Sequence, residues 1–177
     1  DHAAGVARVA LRGWRDGLPL RHVAHAGIHR EHALLQRAGV VEAVAPGTAA
    51  LGLAADLANA VTEAGYANPT PIQAQAIPPL LEGKDLVGVA ATGTGKTAAF
   101  ALPLVHRLSA DPTRNRSRPA ALIMVPTREL AVQVAKAVSG YGKRNKIKVV
   151  PVYGGAGFAE QVRALRQNAD VVVAAPG

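Results

Sequence analysis

No cysteine occurs in the 177 residues, which removes disulfides and thiolate metal sites and fits a reducing compartment. No disulfide-linked partner is therefore expected. Aromatic residues are scarce, at 3%, although 49% of the chain is apolar, so a core has to be built mainly from Ala, Val and Leu. That composition suits buried parallel strands under alanine-rich helices and points to the α/β class. No run approaches the roughly 20 apolar residues that span a bilayer, and the N-terminus lacks the ordered regions of a signal peptide. No membrane partner and a cytoplasmic location are the expectation. Acidic residues are also short, 12 against 20 Lys and Arg, giving a net charge of +8. A basic excess favours a polyanionic partner, because clustered cations gain affinity by displacing counterions from phosphates. Methionine is nearly absent too. The one residue of this type is Met124 and the chain starts at Asp1, so a processed, trimmed or partial sequence is expected.

What is present is organised unevenly. From Asp56 onward, apolar strands at 85–90, 120–125, 148–153 and 170–175 alternate with helical patterns at 96–109, 128–138 and 159–166. On the first of these helices Phe100, Leu104, Val105 and Leu108 share one face. Such strand, helix, strand repeats predict a parallel sheet covered on both faces. Residues 1–47 differ, being rich in Gly, Ala, Arg and His without sustained periodicity, and Pro46-Gly47 marks a plausible boundary. Here His22, His25, His29 and His32 would line one face of a continuous helix, but Gly27 interrupts it and no HExxH arrangement accompanies them. A solvated segment is the favoured reading over a metal site. The abrupt change of character near Thr48 suggests that the head includes sequence foreign to the domain after it.

The clearest chemistry lies in the stretch Ala90-Ala91-Thr92-Gly93-Thr94-Gly95-Lys96-Thr97, which follows an apolar strand and precedes a helix. That context is the one a phosphate-binding loop requires. Glycines let backbone N–H groups turn inward around phosphates, and the following helix adds the positive end of its dipole. Lys96 would reach the β and γ phosphates, and the Thr97 hydroxyl would hold Mg²⁺. Ala90 stands where the usual spacing asks for a first glycine, and is compatible with the loop if its φ is negative. Upstream, Pro69 and Pro71 fix a rigid turn within Gly65-Tyr66-Ala-Asn-Pro69-Thr70-Pro71-Ile72-Gln73. Gln73 presents a paired donor and acceptor that matches the edge of adenine, or equally caps a helix.

Taken together, these stretches resemble the DEAD-box ATP-dependent RNA helicases, particularly the bacterial ones. Gly65 to Gln73 is similar to the Q motif, and Ala90 to Thr97 to motif I, where alanine at the first position is usual. Pro126-Thr127-Arg128-Glu129-Leu130 is similar to motif Ia, Gly154-Gly155 to the GG motif, and Ala175-Pro176-Gly177 to the start of motif Ib. The resemblance covers Thr48 to Gly177, with the motifs in the family's order. It implies a P-loop NTPase (RecA-like) fold, truncated at the C-terminus, with residues 48–76 as a Q-motif region and 77–177 as a partial ATP-binding domain. Residues 1–47 then stand apart as an atypical extension, expected to be poorly ordered.

The implied function is ATP-driven RNA unwinding. ATP and Mg²⁺ would be held by Tyr66, Thr70, Gln73 and residues 90–97, with Lys96 and Thr97 as the catalytic pair. RNA would be held mostly through its backbone, by Pro126, Thr127, Arg128, Gly154, Gly155, Pro176 and Gly177. Pro126 would end a strand and Thr127 cap the next helix, aiming free N–H groups at a phosphate, while Glu129 braces the loop. The basic runs Arg114 to Arg118 and Lys143 to Lys148 read by default as solvated surface.

Three departures stand out. Thr48 occupies a position where the family carries an aromatic residue beside adenine, and Ala175 replaces a motif Ib threonine. The Asp-Glu-Ala-Asp motif, and the second lobe with its arginine finger, do not occur in these 177 residues. The strand ending near Val125 leads to Pro126-Thr127 and Asp170 precedes its strand, so neither supplies the missing acid. This chain by itself is therefore expected to hold nucleotide without useful hydrolysis or unwinding. The alternatives are a non-catalytic nucleotide- or RNA-binding fragment, and another P-loop NTPase or kinase. A small-molecule kinase needs neither the Gly65 to Gln73 clamp nor the Pro126 to Leu130 loop.

Overall fold

A computed structural model of the chain describes residues 5–11, 22–27, 51–63, 68–111, 114 and 117–176. In chain order these form strands β1 (Gly5–Leu11) and β2 (His22–Gly27), helices α1 (Ala55–Glu63) and α2 (Pro71–Leu81), strand β3 (Leu86–Ala90), helix α3 (Lys96–Ala110), strand β4 (Ala121–Met124), helix α4 (Arg128–Tyr141), strand β5 (Val149–Tyr153), helix α5 (Phe158–Arg166) and strand β6 (Val171–Ala175). One six-stranded sheet runs in the order β3-β1-β2-β4-β6-β5. Strands β2, β4, β6 and β5 are parallel. Strand β1 is antiparallel to both of its neighbours, β2 and β3, which leaves β3 pointing the same way as the rest. The result is an α/β fold with a mainly parallel sheet flanked by helices.

The strands after residue 84 start and end within a residue of where the apolar runs predict, because short Val- and Ile-rich segments flanked by helices have few other ways to satisfy their backbone. Two further strands, β1 and β2, come from the stretch before residue 48 and lie in the sheet between β3 and β4. His22 and His25 fall on β2, so the helix on which four histidines would align is not formed there. His29, His32, Thr48, Gly65, Tyr66 and Gly177 lie outside the described residues. Among the described residues, no group of three or more His, Asp or Glu is placed to hold a metal ion.

Helix α2 departs from the rigid turn expected of its prolines. Pro71 sits at the first helical position, where a missing N–H costs nothing and the fixed φ suits the helix, and eleven residues follow the helical path from there. Ala76, Ile77 and Leu80 turn inward and are almost wholly buried. Helix α3 runs beside α2 and carries the buried face foreseen for it, with Phe100, Leu104, Val105 and Leu108 all inside. Ala101, Leu102 and Pro103 are buried as well, so this helix is enclosed on nearly every side. Helix α4 packs on β5, β6 and α3, and α5 on β5.

Coverage of the sheet is uneven at β3. Leu86 and Gly88 face α2 and α3, whereas Val87 and Val89 remain 56% and 37% exposed. On that side of β3 no helix stands among the described residues, a difference from the two-faced cover expected.

At the other end of the strands lies a buried ion pair. Arg114 Nε donates to Asp170 Oδ1 at 2.9 Å, Asp170 Oδ2 accepts the Lys148 backbone N–H at 2.8 Å, and Arg114 Nη1 donates to the Leu108 carbonyl. These bonds join the end of α3 to the starts of β5 and β6. Arg114, the first residue of a run expected at the solvated surface, is therefore interior, as is Asp170 at 2% exposure. Removing one member strands the other charge in a dry site, which costs about 3 to 5 kcal/mol. Asp170→Ala should lose that much in a urea titration, and an unchanged midpoint would show the pair to be idle.

Candidate functional site

Strand β3 ends at Ala90, the chain turns through residues 91–95, and α3 begins at Lys96. Gly93 and Gly95 adopt φ of 81° and 84°, a left-handed conformation that makes the turn and that residues with a Cβ rarely adopt. Ala90 is not among the residues with positive φ, so the alanine fits without strain. Gly95 is constrained twice over. A Cβ added there would collide with Gln73 Nε2, in addition to the unfavourable φ.

The close neighbour is there for a reason. Gln73 Nε2 donates to the Gly95 carbonyl at 3.2 Å, and Gln73 Oε1 accepts the Thr70 backbone N–H at 3.0 Å. Gln73 thus occupies the third position of α2, closing half of a capping box, and reaches across to the turn before α3. Of the two readings left open for it, the helix cap is formed, and the same side chain is also tied to the glycine turn before α3. It is only 6% exposed, with one lone pair and one N–H beyond these two bonds. The Thr70 hydroxyl is buried without a hydrogen-bond partner.

Lys96 folds back over the turn. Its ammonium donates to the carbonyls of Ala90 and of Ala91, the latter at 2.7 Å, and the Thr94 hydroxyl donates to the Ala91 carbonyl at 2.7 Å. Partial burial lowers the Lys96 pKa from the ordinary lysine value, since desolvation disfavours the charged form. Ala91, Thr92 and Gly93 are exposed at the tip, and Thr97 stands half-buried in the first turn of α3. An exposed turn without bulky side chains, an ammonium folded over it and the first-turn N–H groups of a fifteen-residue helix make a cradle for an oxyanion.

A second group of loops forms where the parallel strands β4, β6 and β5 end on the same edge of the sheet. Pro126 to Leu130 follows β4, all exposed, and Thr127 caps α4 by accepting the Leu130 N–H at 3.2 Å. Glu129 has its pKa lowered by its own backbone N–H and by the Thr127 side chain, so it braces this helix start as expected. Gly154 and Gly155 follow β5. Gly155 has φ of 81°, and a Cβ there would meet Arg128 Nη1 at 2.6 Å, so the guanidinium lies directly over the bare glycine. Pro176 follows β6 and is exposed.

The structure therefore brings the Pro126 to Arg128 loop together with the paired glycines, and joins Gln73 to the phosphate loop. It does not bring the two groups together. Strand β3 is three positions from β4, which at normal spacing is about 14 Å.

One residue of this edge carries no motif signal. Gln161 Oε1 accepts the Tyr153 N–H at 2.9 Å and its Nε2 donates to the Tyr153 carbonyl at 3.2 Å, clamping the end of β5 to α5 just before the glycines. Its only trace in the sequence is an amide eight residues after Tyr153, which suggests nothing until the turn is seen.

Residues 70–177 match the DEAD/DEAH box helicase family. The chain belongs to that family. Among the relatives of this DEAD-box chain is the ATP-dependent RNA helicase DeaD of Buchnera aphidicola, 51% identical over 128 residues, covering 72% of the chain and 21% of the relative. Similar solved structures include a DEAD box protein from the hyperthermophile Methanococcus jannaschii, with a TM-score of 0.62 and 34% identity over 74% of this chain and 35% of that one. The RNA-helicase Prp28 from Chaetomium thermophilum, solved bound to ADP, gives a TM-score of 0.66 at 45% identity over 72% of this chain and 31% of that one. The DEAD-box chain thus spans about a fifth of the length of the Buchnera relative it matches.

The state of Lys96 can be tested without any ligand. Because its pKa is lowered, its amine should become neutral below the ordinary lysine value of 10.5. Competitive amine labelling across pH, read by mass spectrometry, should give Lys96 a titration midpoint below that value, and a midpoint at or above it would contradict the burial argument.

Proposed function

We propose that this chain is the nucleotide-holding part of an ATP-dependent RNA helicase, with an RNA-backbone track on the same edge of its sheet. The observation that carries the reading is the pair of bonds through Gln73, which ties the start of α2, the segment that would read adenine, to the turn at Gly95 that would hold phosphate. A donor set of ammonium, helix N-terminus and a turn without bulky side chains fits a polyphosphate, and the ADP in the Chaetomium helicase supports that choice. Tyr66, Thr70 and Gln73 would hold the adenine side, and residues 90–97 the phosphates. Lys96 would exchange its carbonyl partners for β and γ phosphate oxygens. The Thr97 hydroxyl would anchor Mg²⁺, which when bound neutralises charge between the phosphates.

RNA would lie along Pro126, Thr127, Arg128, Gly154, Gly155, Pro176 and Gly177. Contacts from a helix start, a guanidinium and bare glycines address phosphate and sugar, so the binding would be largely independent of base sequence. In the whole protein, ATP binding and hydrolysis would be coupled to local strand separation. Residues 48–76 and 77–177 would be the Q-motif and ATP-binding regions of that machine, working in the cytoplasm. With these 177 residues alone we expect binding without useful turnover, because Asp170, the acid flanking β6, is locked with Arg114 at the start of that strand and does not serve the metal.

Two variants test the reading. Lys96→Ala should abolish ATP binding by the chain, measured by calorimetry, and ATPase activity in the complete helicase; undiminished turnover would remove Lys96 from the cradle. Gly155→Ala should push the Arg128 guanidinium aside and weaken RNA binding about as much as Arg128→Ala does, roughly 1 kcal/mol for an exposed phosphate contact. Nucleotide binding should be untouched by either change at this loop.

A further inference from the structure

Helix α5 begins three residues after Gly155 and exposes an apolar residue at its first position. Phe158 is 82% exposed, the most open of the large apolar side chains among the described residues. It lines a shallow concavity of about 490 Å³ with Ala159, Val162, Arg163, Arg166 and Gln167. No residue of α5 is buried. A phenylalanine this open at the start of a helix contributes little to packing. Helix α5 has no fully buried side chain, rests on β5 through half-buried residues such as Val162 and Leu165, and is tied to it by the Gln161 clamp on Tyr153.

Charge is distributed around this face in a definite way. Neither Arg163 nor Arg166 makes an ion pair among the described residues. Lys148 Nζ donates to the Gln167 carbonyl at 2.9 Å, adding a third cation at the far end of the concavity. Glu160, the acid on α5, has its carboxylate beside Gly157 at the helix start and is not among the residues that line the concavity. An aromatic face beside unpaired guanidiniums matches one chemistry better than others, a chain of phosphates carrying flat bases.

We propose that Phe158, Val162, Arg163 and Arg166 form a subsite for single-stranded RNA, in which one base stacks on the Phe158 ring while the flanking phosphates are held by the two arginines. This rests on the RNA reading of the neighbouring loops and extends it. The Arg128 and Gly155 contact addresses the backbone alone, whereas this subsite adds a sequence-tolerant grip on a base, beyond the point where the paired glycines end. A strand leaving those glycines would meet α5 next, since the Gln161 clamp fixes the start of the helix against the end of β5.

The test uses the intact chain and two labelled oligomers of about ten nucleotides, within the length such grooves cover, one oligouridine and one abasic with the same phosphates. By fluorescence anisotropy, Phe158→Ala should weaken binding of oligouridine about tenfold and leave the abasic oligomer unchanged. Phe158→Tyr should restore it. Arg163→Ala with Arg166→Ala should weaken both oligomers and reduce the salt dependence. Oligouridine binding unaffected by Phe158→Ala, or lost equally for both oligomers, overturns the subsite, even if Arg128→Ala weakens both and so upholds the backbone track. Failure of the unmodified chain to bind either oligomer overturns the RNA reading itself, and the subsite with it. A dimer in sedimentation that Phe158→Ala converts to monomer assigns the face to a second copy and also overturns the proposal.

Discussion

Gly95 is a point where three requirements meet in one residue without a side chain. The turn after β3 needs a left-handed φ, the first turn of α3 needs its carbonyl as a helix acceptor, and Gln73 needs the space a Cβ would fill. The carbonyl satisfies both Ala99 N–H at 3.1 Å and Gln73 Nε2 at 3.2 Å. Helix α2 is thereby held against the start of α3, and the apolar contacts of Ala76, Ile77 and Leu80 with α3 complete the attachment. The orientation of the phosphate turn therefore depends on a core helix about twenty residues upstream.

The same economy recurs at the second group of loops. Gly155 provides the space that Arg128 fills, and Gln161 pins the strand from which Gly155 departs. In both places a glycine removes bulk, a long polar side chain occupies the gap, and a side-chain amide holds a backbone end. The ends of the strands away from these loops are tied instead by Arg114 and Asp170. A buried pair there anchors β5 and β6 without placing charge near the phosphate cradle. The candidate-site loops and the anchoring pair thus lie at opposite ends of the strands, the separation usual in open α/β folds.

Much of this architecture is legible in the order of residues alone. The four later strands and the helices between them follow from apolar periodicity, and the phosphate turn from its glycines and lysine in a strand-to-helix context. Helix α2 is not legible, because Pro69 and Pro71 read as a rigid turn, although proline at the first helical position is favourable. Arg114 reads as solvated because its neighbours are charged; only its distant partner Asp170, 56 positions away in sequence, draws it inside. Residues before Thr48 show no strand pattern, yet β1 and β2 pair within the sheet, where neighbouring strands offer free ladder hydrogen bonds to almost any backbone.

The amino-acid sequence by itself determined the fold class, the positions of the motifs and the family, because those depend on local periodicity and on residue types at fixed spacing. Only the tertiary structure decided which residues meet: Gln73 with Gly95, Arg128 with Gly155 and Gln161 with Tyr153, while Phe158 and the two arginines of α5 line one open face. The physical reason is range. Spacing along the chain specifies a helix or a turn, but a contact between a side-chain amide and a carbonyl 22 residues away exists only once the intervening strand has packed.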